Sequence, residues 1–196
     1  MRDAFDFAEY MELAQRTASR ESDPRGDIGA TLATLEVLVA AGGLADLLKR
    51  QIFYRREATF EMFASCIENI REAISLLEGS ISVSVNQNDP LPFNAKLLHG
   101  TVGTISEEAE MLSSMLDVAS DGRKIDEVNL IEEAGDALWY QAEKLAGVEQ
   151  ISGVGIAGVC AANIAKLAVR HGDKFNGQSA IERDLISERA AVRGRS

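Results

Sequence analysis

The sequence from residue 106 to residue 140 decides the fold, because it carries two acidic motifs, SEEAE at residues 106–110 and EEAGD at residues 132–136. Each motif holds two carboxylates three residues apart, and side chains with that spacing share one face of a helix. Two such helices packed side by side would point four carboxylates into one gap. Four anionic groups can share a dry gap only if a cation neutralises them, and hard divalent cations such as Mg²⁺ take oxygen ligands. The sequence therefore predicts a metal site, with ligands Glu107, Glu110, Glu133 and Asp136.

The composition indicates a helical protein. The chain has 196 residues, of which 46% are hydrophobic and only 6% aromatic, and it contains 3 prolines. A chain of this length can bury one substantial core. Frequent alanine, leucine and glutamate with few aromatic residues favours helix over sheet. We therefore expect a single all-α domain.

The charge balance restricts the class of partner. The formal net charge is -11, with 31 acidic and 20 basic side chains. A surface this acidic argues against a binder of nucleic acid or of anionic membranes. It leaves room for an anionic small molecule, because a bound metal ion can reverse the local field.

Three features favour a cytoplasmic protein. Cys66 and Cys160 each lie in an apolar helical context, so two free buried thiols are expected rather than a disulfide. The N-terminus has no secretory pattern. No apolar run is expected to reach membrane-spanning length.

Hydrophobic periodicity predicts seven helices. Gly42-Gly43 is expected to divide the second helix or to let another backbone approach it, and Gly147 is expected to end the fifth. Residues 80–85 alternate polar and apolar side chains, which fits a short strand or an extended connector. The predicted helices cover residues 3–20, 28–56, 59–78, 93–118, 126–147, 156–171 and 178–192.

A cationic face follows the acidic motifs. Asn163, Lys166 and Arg170 share one side of the sixth helix, and Lys174 comes shortly after it. A cationic face near a metal-loaded acidic face suits a polyphosphate. The metal ion would neutralise part of the negative charge of the phosphates, and Lys and Arg side chains would neutralise the rest. The alternative is a set of surface ion pairs, each worth little.

The histidines argue against a di-iron centre. Such bundles use paired Glu-x-x-His motifs. His99 and His171 are the only histidines of the chain, and neither lies three residues after a glutamate. An all-carboxylate set favours Mg²⁺ or Mn²⁺ over iron.

These motifs in this order resemble those of the MazG-like all-α nucleoside triphosphate pyrophosphohydrolases. The resemblance is based on Glu107-x-x-Glu110, on Glu133-x-x-Asp136 with the following residues 137–140, and on residues 163–170. The match covers residues 92–189 well and the first helix loosely.

The resemblance implies a four-helix bundle in which the ExxE and ExxD pairs bind Mg²⁺, and it implies hydrolysis of a nucleoside triphosphate to the monophosphate and pyrophosphate. It also implies a homodimer or a higher homo-oligomer. Glu108 or Glu132 is expected to be the general base, and either could instead ligate the metal in place of a neighbour or help to bind a second metal ion. Lys166, Arg170 and Lys174 are expected to offset phosphate charge, and Asn163 to bind phosphate or sugar. Trp139 or Tyr140 could stack on the nucleobase, with core packing the alternative for Trp139.

The chain departs from the family pattern in residues 25–91, which are inserted between the first helix and the first acidic helix. One interpretation is a degenerate copy of the acidic hairpin that stands in for a second subunit, and the other is an extra helical hairpin on the bundle. Two functions compete with the main one. They are a helical protein that binds or senses a nucleotide without cleaving it, and a phosphoribosyl-ATP pyrophosphohydrolase.

Overall fold

The computed structural model describes residues 6–18, 23–81, 88–175, 177–180 and 182–194. These residues form helices joined by short connections, and the described ranges contain no strand, only an isolated bridge between Arg25 and Pro90. The expected all-α class is therefore confirmed. The helices are α1 (Phe7–Thr17), α2 (Ile28–Tyr54), α3 (Phe60–Ile81), α4 (Ala95–Asp121), α5 (Glu127–Ser152), α6 (Ile156–His171) and α7 (Leu185–Arg193).

The last helix is shorter than expected. Residues 177–180 form turns, and α7 begins only at Leu185, so a single helix over 178–192 is wrong. The start is set by Asp184, whose carboxylate accepts hydrogen bonds from the backbone N–H of Ser187 at 3.1 Å and from its hydroxyl at 2.6 Å. A side chain that caps in this way satisfies an N–H group that has no partner within the helix.

Two expectations about glycines are also wrong. Gly147 lies inside α5, and the helix ends instead at Gly153, where φ is +72°. The helix α2 continues through Gly42 and Gly43, and a Cβ placed on either would meet no described atom within 4 Å, so no backbone among the described residues approaches there. The alternation at residues 80–85 begins inside α3, and its part at residues 82–85 lies outside the described residues.

The chain divides into two compact units, one of Met1–Ser22 with Phe93–Ser196 and the other Asp23–Pro92. In the second unit, α2 packs on α3 as a helical hairpin. The chain enters and leaves this unit side by side. The N–H of Gly26 donates to the carbonyl of Asp89 at 3.0 Å, and the N–H of Leu91 donates to the carbonyl of Pro24 at 2.8 Å.

The first unit is built on the pair α4 and α5, with α1 against α5 and with α6 packed on α7. A buried polar network joins α1, α4 and α5. The carboxylate of Glu143, only 1% exposed, accepts from Gln15 at 2.7 Å and from Lys96 at 3.3 Å. Lys96 also donates to the side-chain oxygen of Gln15. Because a buried charge must be paired, this network fixes how the three helices meet.

The helix α2 overturns the expectation that no apolar run is long enough to span a membrane. It has 27 residues, and its most apolar window has a mean hydropathy of 1.7 and is only 6% buried. Helices α5 and α6 reach such a length and hydropathy only when the two are taken as one segment, and they bend by 88° at the break between them. The core helix of a soluble protein, or a signal sequence, can be as long and as apolar as α2.

Both cysteines are free, as expected. Cys66 is half-buried but Cys160 is exposed, so the expected burial is wrong for Cys160.

Candidate metal centre

Three glycines bring α4 and α5 unusually close. A Cβ on Gly100 would lie 2.6 Å from the carbonyl oxygen of Tyr140, and one on Gly147 would lie 2.5 Å from the backbone nitrogen of Leu97. A Cβ on Gly103 would collide with the ring of Tyr140. Only glycine permits such an approach of two helix backbones.

Polar side chains at both ends of the α4–α5 contact fix its register. At one end, Asn94 donates to the side-chain oxygen of Gln150 at 2.9 Å. At the other end, Asn129 donates to the hydroxyl of Ser114 at 3.3 Å. The two helices run antiparallel between these bonds, so the first acidic motif on α4 faces the second on α5.

Three of the four predicted ligands meet. Carboxylate oxygens of Glu107, Glu110 and Glu133 all lie within 4.8 Å of one another. Glu107 and Glu133 are half-buried, and Glu110 is exposed. The pKa of Glu133 is raised, first by its partial loss of hydration and then by the negative charges of Glu110, Glu107 and Asp136. The cluster therefore concentrates negative charge that a cation would relieve.

The fourth predicted ligand, Asp136, is exposed and stands one turn further along α5, outside the group of three. The negative charge of Asp136 nevertheless contributes to the raised pKa of Glu133. Its other neighbour is Tyr10 of α1, which donates a hydrogen bond of 3.4 Å to the carbonyl of Gly135. The pKa of Tyr10 is raised by burial and then by the charge of Asp136. The helix α1 thus forms one edge of the acidic site.

The two candidate general bases lie beside the carboxylate cluster. Glu108 and Glu132 are both exposed and neither belongs to the group of three. Each is next in sequence to a cluster member, so each points about 100° away around its helix.

The aromatic residues near the site pack on one another. The indole N–H of Trp139 donates to the hydroxyl of Thr17 at 2.8 Å. The ring of Trp139 meets that of Tyr140 edge-on at 5.0 Å, and His99 meets the two rings edge-on at 5.8 and 5.3 Å. Edge-to-face contacts of this kind stabilise the junction of α1, α4 and α5. Stacking of Trp139 or Tyr140 on a base stays a prediction.

The predicted cationic face is on a helix that packs mainly on α7, not on α4 or α5. Asn163 and Lys174 are exposed, and Lys166 is half-buried. The guanidinium of Arg170 is held by Glu188, to which it donates two hydrogen bonds of 2.9 and 2.6 Å. The approach of this face to the carboxylates also stays a prediction.

Sequence reasoning missed the site of Glu188. This carboxylate is 3% exposed and also accepts a bond of 2.6 Å from Arg183. The two guanidinium groups lower its pKa to about 2. The feature of the sequence that could have indicated this site is the pair Arg170 and Arg183, which lie on either side of the turn before α7.

The network of Glu143 was missed as well. Glu143 follows Asp136 and Tyr140 on one side of α5, at a spacing that would have placed it against α4. Its partner Lys96 is distant in sequence, and a lone helical glutamate is most often solvated.

Comparison of the chain with protein-family models, with curated proteins and with solved structures gives no match.

Proposed function

We propose that this chain is a Mg²⁺-dependent pyrophosphohydrolase of the MazG-like type, which converts a (d)NTP to the (d)NMP and pyrophosphate. One observation carries the proposal. Two acidic motifs 26 residues apart, on different helices, bring three carboxylate groups within 4.8 Å of one another. The mutual repulsion of clustered carboxylates costs free energy, and a bound cation would offset that cost.

The donor set fits a hard divalent cation. Glu107, Glu110 and Glu133 offer oxygen atoms only, and Asp136 adds its charge from the next turn. Oxygen ligands of this kind suit Mg²⁺, with Mn²⁺ as the closest substitute. Bound there, the ion would supply electrostatic activation of the triphosphate.

The remaining residues of the site would bind substrate and move a proton. Glu108 or Glu132, each exposed beside the cluster, would accept the proton of the attacking water. Lys166 and Lys174 would offset phosphate charge, and Asn163 would bind phosphate or sugar. Arg170 would join them only by exchanging its partner Glu188.

The base would be recognised at the junction of α1 and α5. Trp139 and Tyr140 are half-buried there. Aromatic faces bind nucleobases with little dependence on sequence. The active form would be a homodimer or a higher homo-oligomer located in the cytoplasm, without nucleic-acid or membrane partners.

Product chromatography on the four standard dNTPs, on modified dNTPs and on phosphoribosyl-ATP tests the proposal. We expect Mg²⁺-dependent release of pyrophosphate and a nucleoside monophosphate from at least one dNTP. Turnover of phosphoribosyl-ATP alone would assign the second activity, and nucleotide binding without product would assign a sensor.

Substitution of the acids makes the test specific. Glu110→Gln and Asp136→Asn each remove one charge from the site and should reduce turnover at least 100-fold, while the helical circular dichroism stays unchanged. Glu149→Gln is the matched control, because it makes the same change about 24 Å along α5 from Glu133. Full turnover by Glu110→Gln would contradict the proposal.

A further inference from the structure

The helix α3 carries an apolar repeat that the hairpin α2–α3 uses only in part. Its large apolar side chains recur with alternating spacings of three and four residues over three heptads. This 3.5-residue period is that of a helix packed along its length against partner helices. The a positions are Phe60, Ile67, Ile74 and Ile81, and the d positions are Phe63, Ile70 and Leu77.

The two halves of the repeat have different surroundings. The d positions are half-buried, and small residues beside them, including the buried Ala73, let α2 pack closely. The a positions are exposed, Phe60 at 81%, Ile67 at 42%, Ile74 at 41% and Ile81 at 55%. The packing of α2 therefore covers one side of the repeat and leaves the other in contact with solvent.

The two sides of the hairpin differ in charge. Asp46 and Arg50 of α2 line a groove on one side together with Glu61 and Ser65 of α3, and that side also exposes Val39 and Phe53, seven residues before and after Asp46. Half a turn away on α2, Leu48 and Ile52 are 48% and 56% exposed. We call the opposite side the apolar face, and its members are Leu48, Ile52, Phe60, Ile67, Ile74 and Ile81.

The size of the apolar face suits a second protein surface. At ~150–200 Å² for a whole side chain, its six members expose roughly 600 Å². This area is at the upper end of the largest apolar patch found on a typical monomer, about 300–600 Å², and such patches often mark interaction sites. A standard interface buries about 800 Å² per partner, of which about 65% is apolar in homodimers, so the face provides what one half of a homodimer needs.

The charged residues beside the apolar face can pair with those of a second copy of the chain. Arg71 and Glu78 occupy successive e positions of α3, one heptad apart, and both are exposed. Two α3 helices that pack antiparallel, with Ile74 of one copy level with Leu77 of the other, bring each Arg71 beside the Glu78 of the other copy. Pairs of this kind at e positions set partner choice and orientation.

A lipid bilayer fits this surface poorly. The helix α2 alone is apolar enough to enter a membrane, but it packs along α3. The middle of α3 carries Glu68, Arg71 and Glu72, and charges at that depth in a bilayer are costly.

We propose that the apolar face of the hairpin α2–α3 binds the same face of a second copy of this chain. The two hairpins form a four-helix bundle about a two-fold axis, with the a positions of both α3 helices at its centre and the Arg71–Glu78 pairs at its edge. This assembly does not depend on the proposed activity, because it uses no residue of the acidic site.

Light scattering coupled to size exclusion, with sedimentation equilibrium on the full chain, tests the interface. We expect an even number of copies in the wild type and half that number in Ile74→Glu. Ser75→Glu is the matched control, because it places the same charge on the adjacent, exposed position of α3, and it should retain the wild-type mass.

Charge reversal tests the partner and its orientation without changing any apolar residue. Arg71→Glu and Glu78→Arg should each weaken the self-association about tenfold, because each creates two like-charged pairs. The double variant should restore the wild-type dissociation constant. If Ile74→Glu loses its helical circular dichroism, these charge variants test the interface in its place.

Several results would overturn the interface. They are a monomeric wild type, an unchanged mass for Ile74→Glu with intact helicity, or no recovery in the double charge variant. Wild-type protein that sediments with phosphatidylcholine or phosphatidylglycerol vesicles, when Ile74→Glu does not, would assign the face to a membrane instead.

Discussion

At Glu188, two arginines decide the protonation state of a buried carboxylate. The guanidinium groups of Arg170 and Arg183 hold its pKa at about 2, below the ordinary value of 4.5. A carboxylate whose pKa is lower in the folded state adds stability above its unfolded pKa, and it loses that contribution as the pH falls toward the folded value. The contact of α6 with α7 should therefore weaken between about pH 4.5 and pH 2.

The variant Glu188→Gln tests this contribution. Its melting temperature should lie below that of the wild type at pH 7, and the difference should shrink below pH 4.5 and vanish near pH 2. The exposed Glu182→Gln should show no comparable difference at any pH. A difference for Glu188→Gln that stays constant from pH 7 to pH 2 would refute the ionic origin.

The buried network of Lys96, Glu143 and Gln15 gives a second prediction for single residues. Lys96→Met should lower the free energy of unfolding by about 3 kcal/mol, because it leaves the carboxylate of Glu143 buried without its cation. The double variant Lys96→Met/Glu143→Leu should recover most of that loss. Chemical denaturation measures both values.

A surface ion pair provides the control for that cycle. Arg123 pairs with Asp117 and Asp121 at side-chain exposures near 50–60%. Arg123→Met should change the free energy of unfolding by no more than about 1 kcal/mol. A loss for Lys96→Met as small as this would mean that the network adds little.

Residue-level features could be predicted from the sequence only where like residues cluster. The acidic motifs stand out because four carboxylates recur at helical spacing, and three of them do meet. Glu143 and Glu188 could not be found in this way. Each is a single acid whose burial depends on a cation that lies on another helix, and only the tertiary packing reveals that pair.

At the scale of elements, the contact between α4 and α5 depends on glycine. Gly100→Ala should destabilise the protein by about 1–3 kcal/mol, because its Cβ would meet backbone atoms of Tyr140 and Lys144 that cannot move aside. Gly135→Ala on α5 is the matched control, since its Cβ would meet nothing within 4 Å. It should stabilise the protein by about 0.5–1 kcal/mol. Equal effects of the two variants on the thermal midpoint would contradict a close crossing.

The helices themselves follow from the sequence. The bounds of α6 were predicted at both ends, because periodicity, Gly155 and Gly172 agree there. Gly147 misled the prediction for α5, since a glycine that ends a helix and one that admits another backbone look the same in sequence. In α7 the N-cap Asp184, not the charge pattern, sets the start.

At the scale of the whole molecule, the hairpin α2–α3 and the acidic motifs of α4 and α5 belong to separate compact units. The predicted insert of residues 25–91 lies within the unit Asp23–Pro92. Its apolar stripe on α3 is only partly covered, because the a positions are exposed and the d positions are half-buried. Periodicity finds an apolar face, but it cannot say whether the same chain or a second copy covers it.

We infer that the acids of α4 and α5 form one site for a divalent cation. Electron paramagnetic resonance with Mn²⁺ measures this directly, because bound Mn²⁺ loses the six-line signal of the free ion. We expect saturable loss of that signal in the wild type and in Glu149→Gln, competition by Mg²⁺, and at least tenfold weaker binding in Glu110→Gln. Free Mn²⁺ at every protein concentration, or equal binding by Glu110→Gln and the wild type, would contradict it.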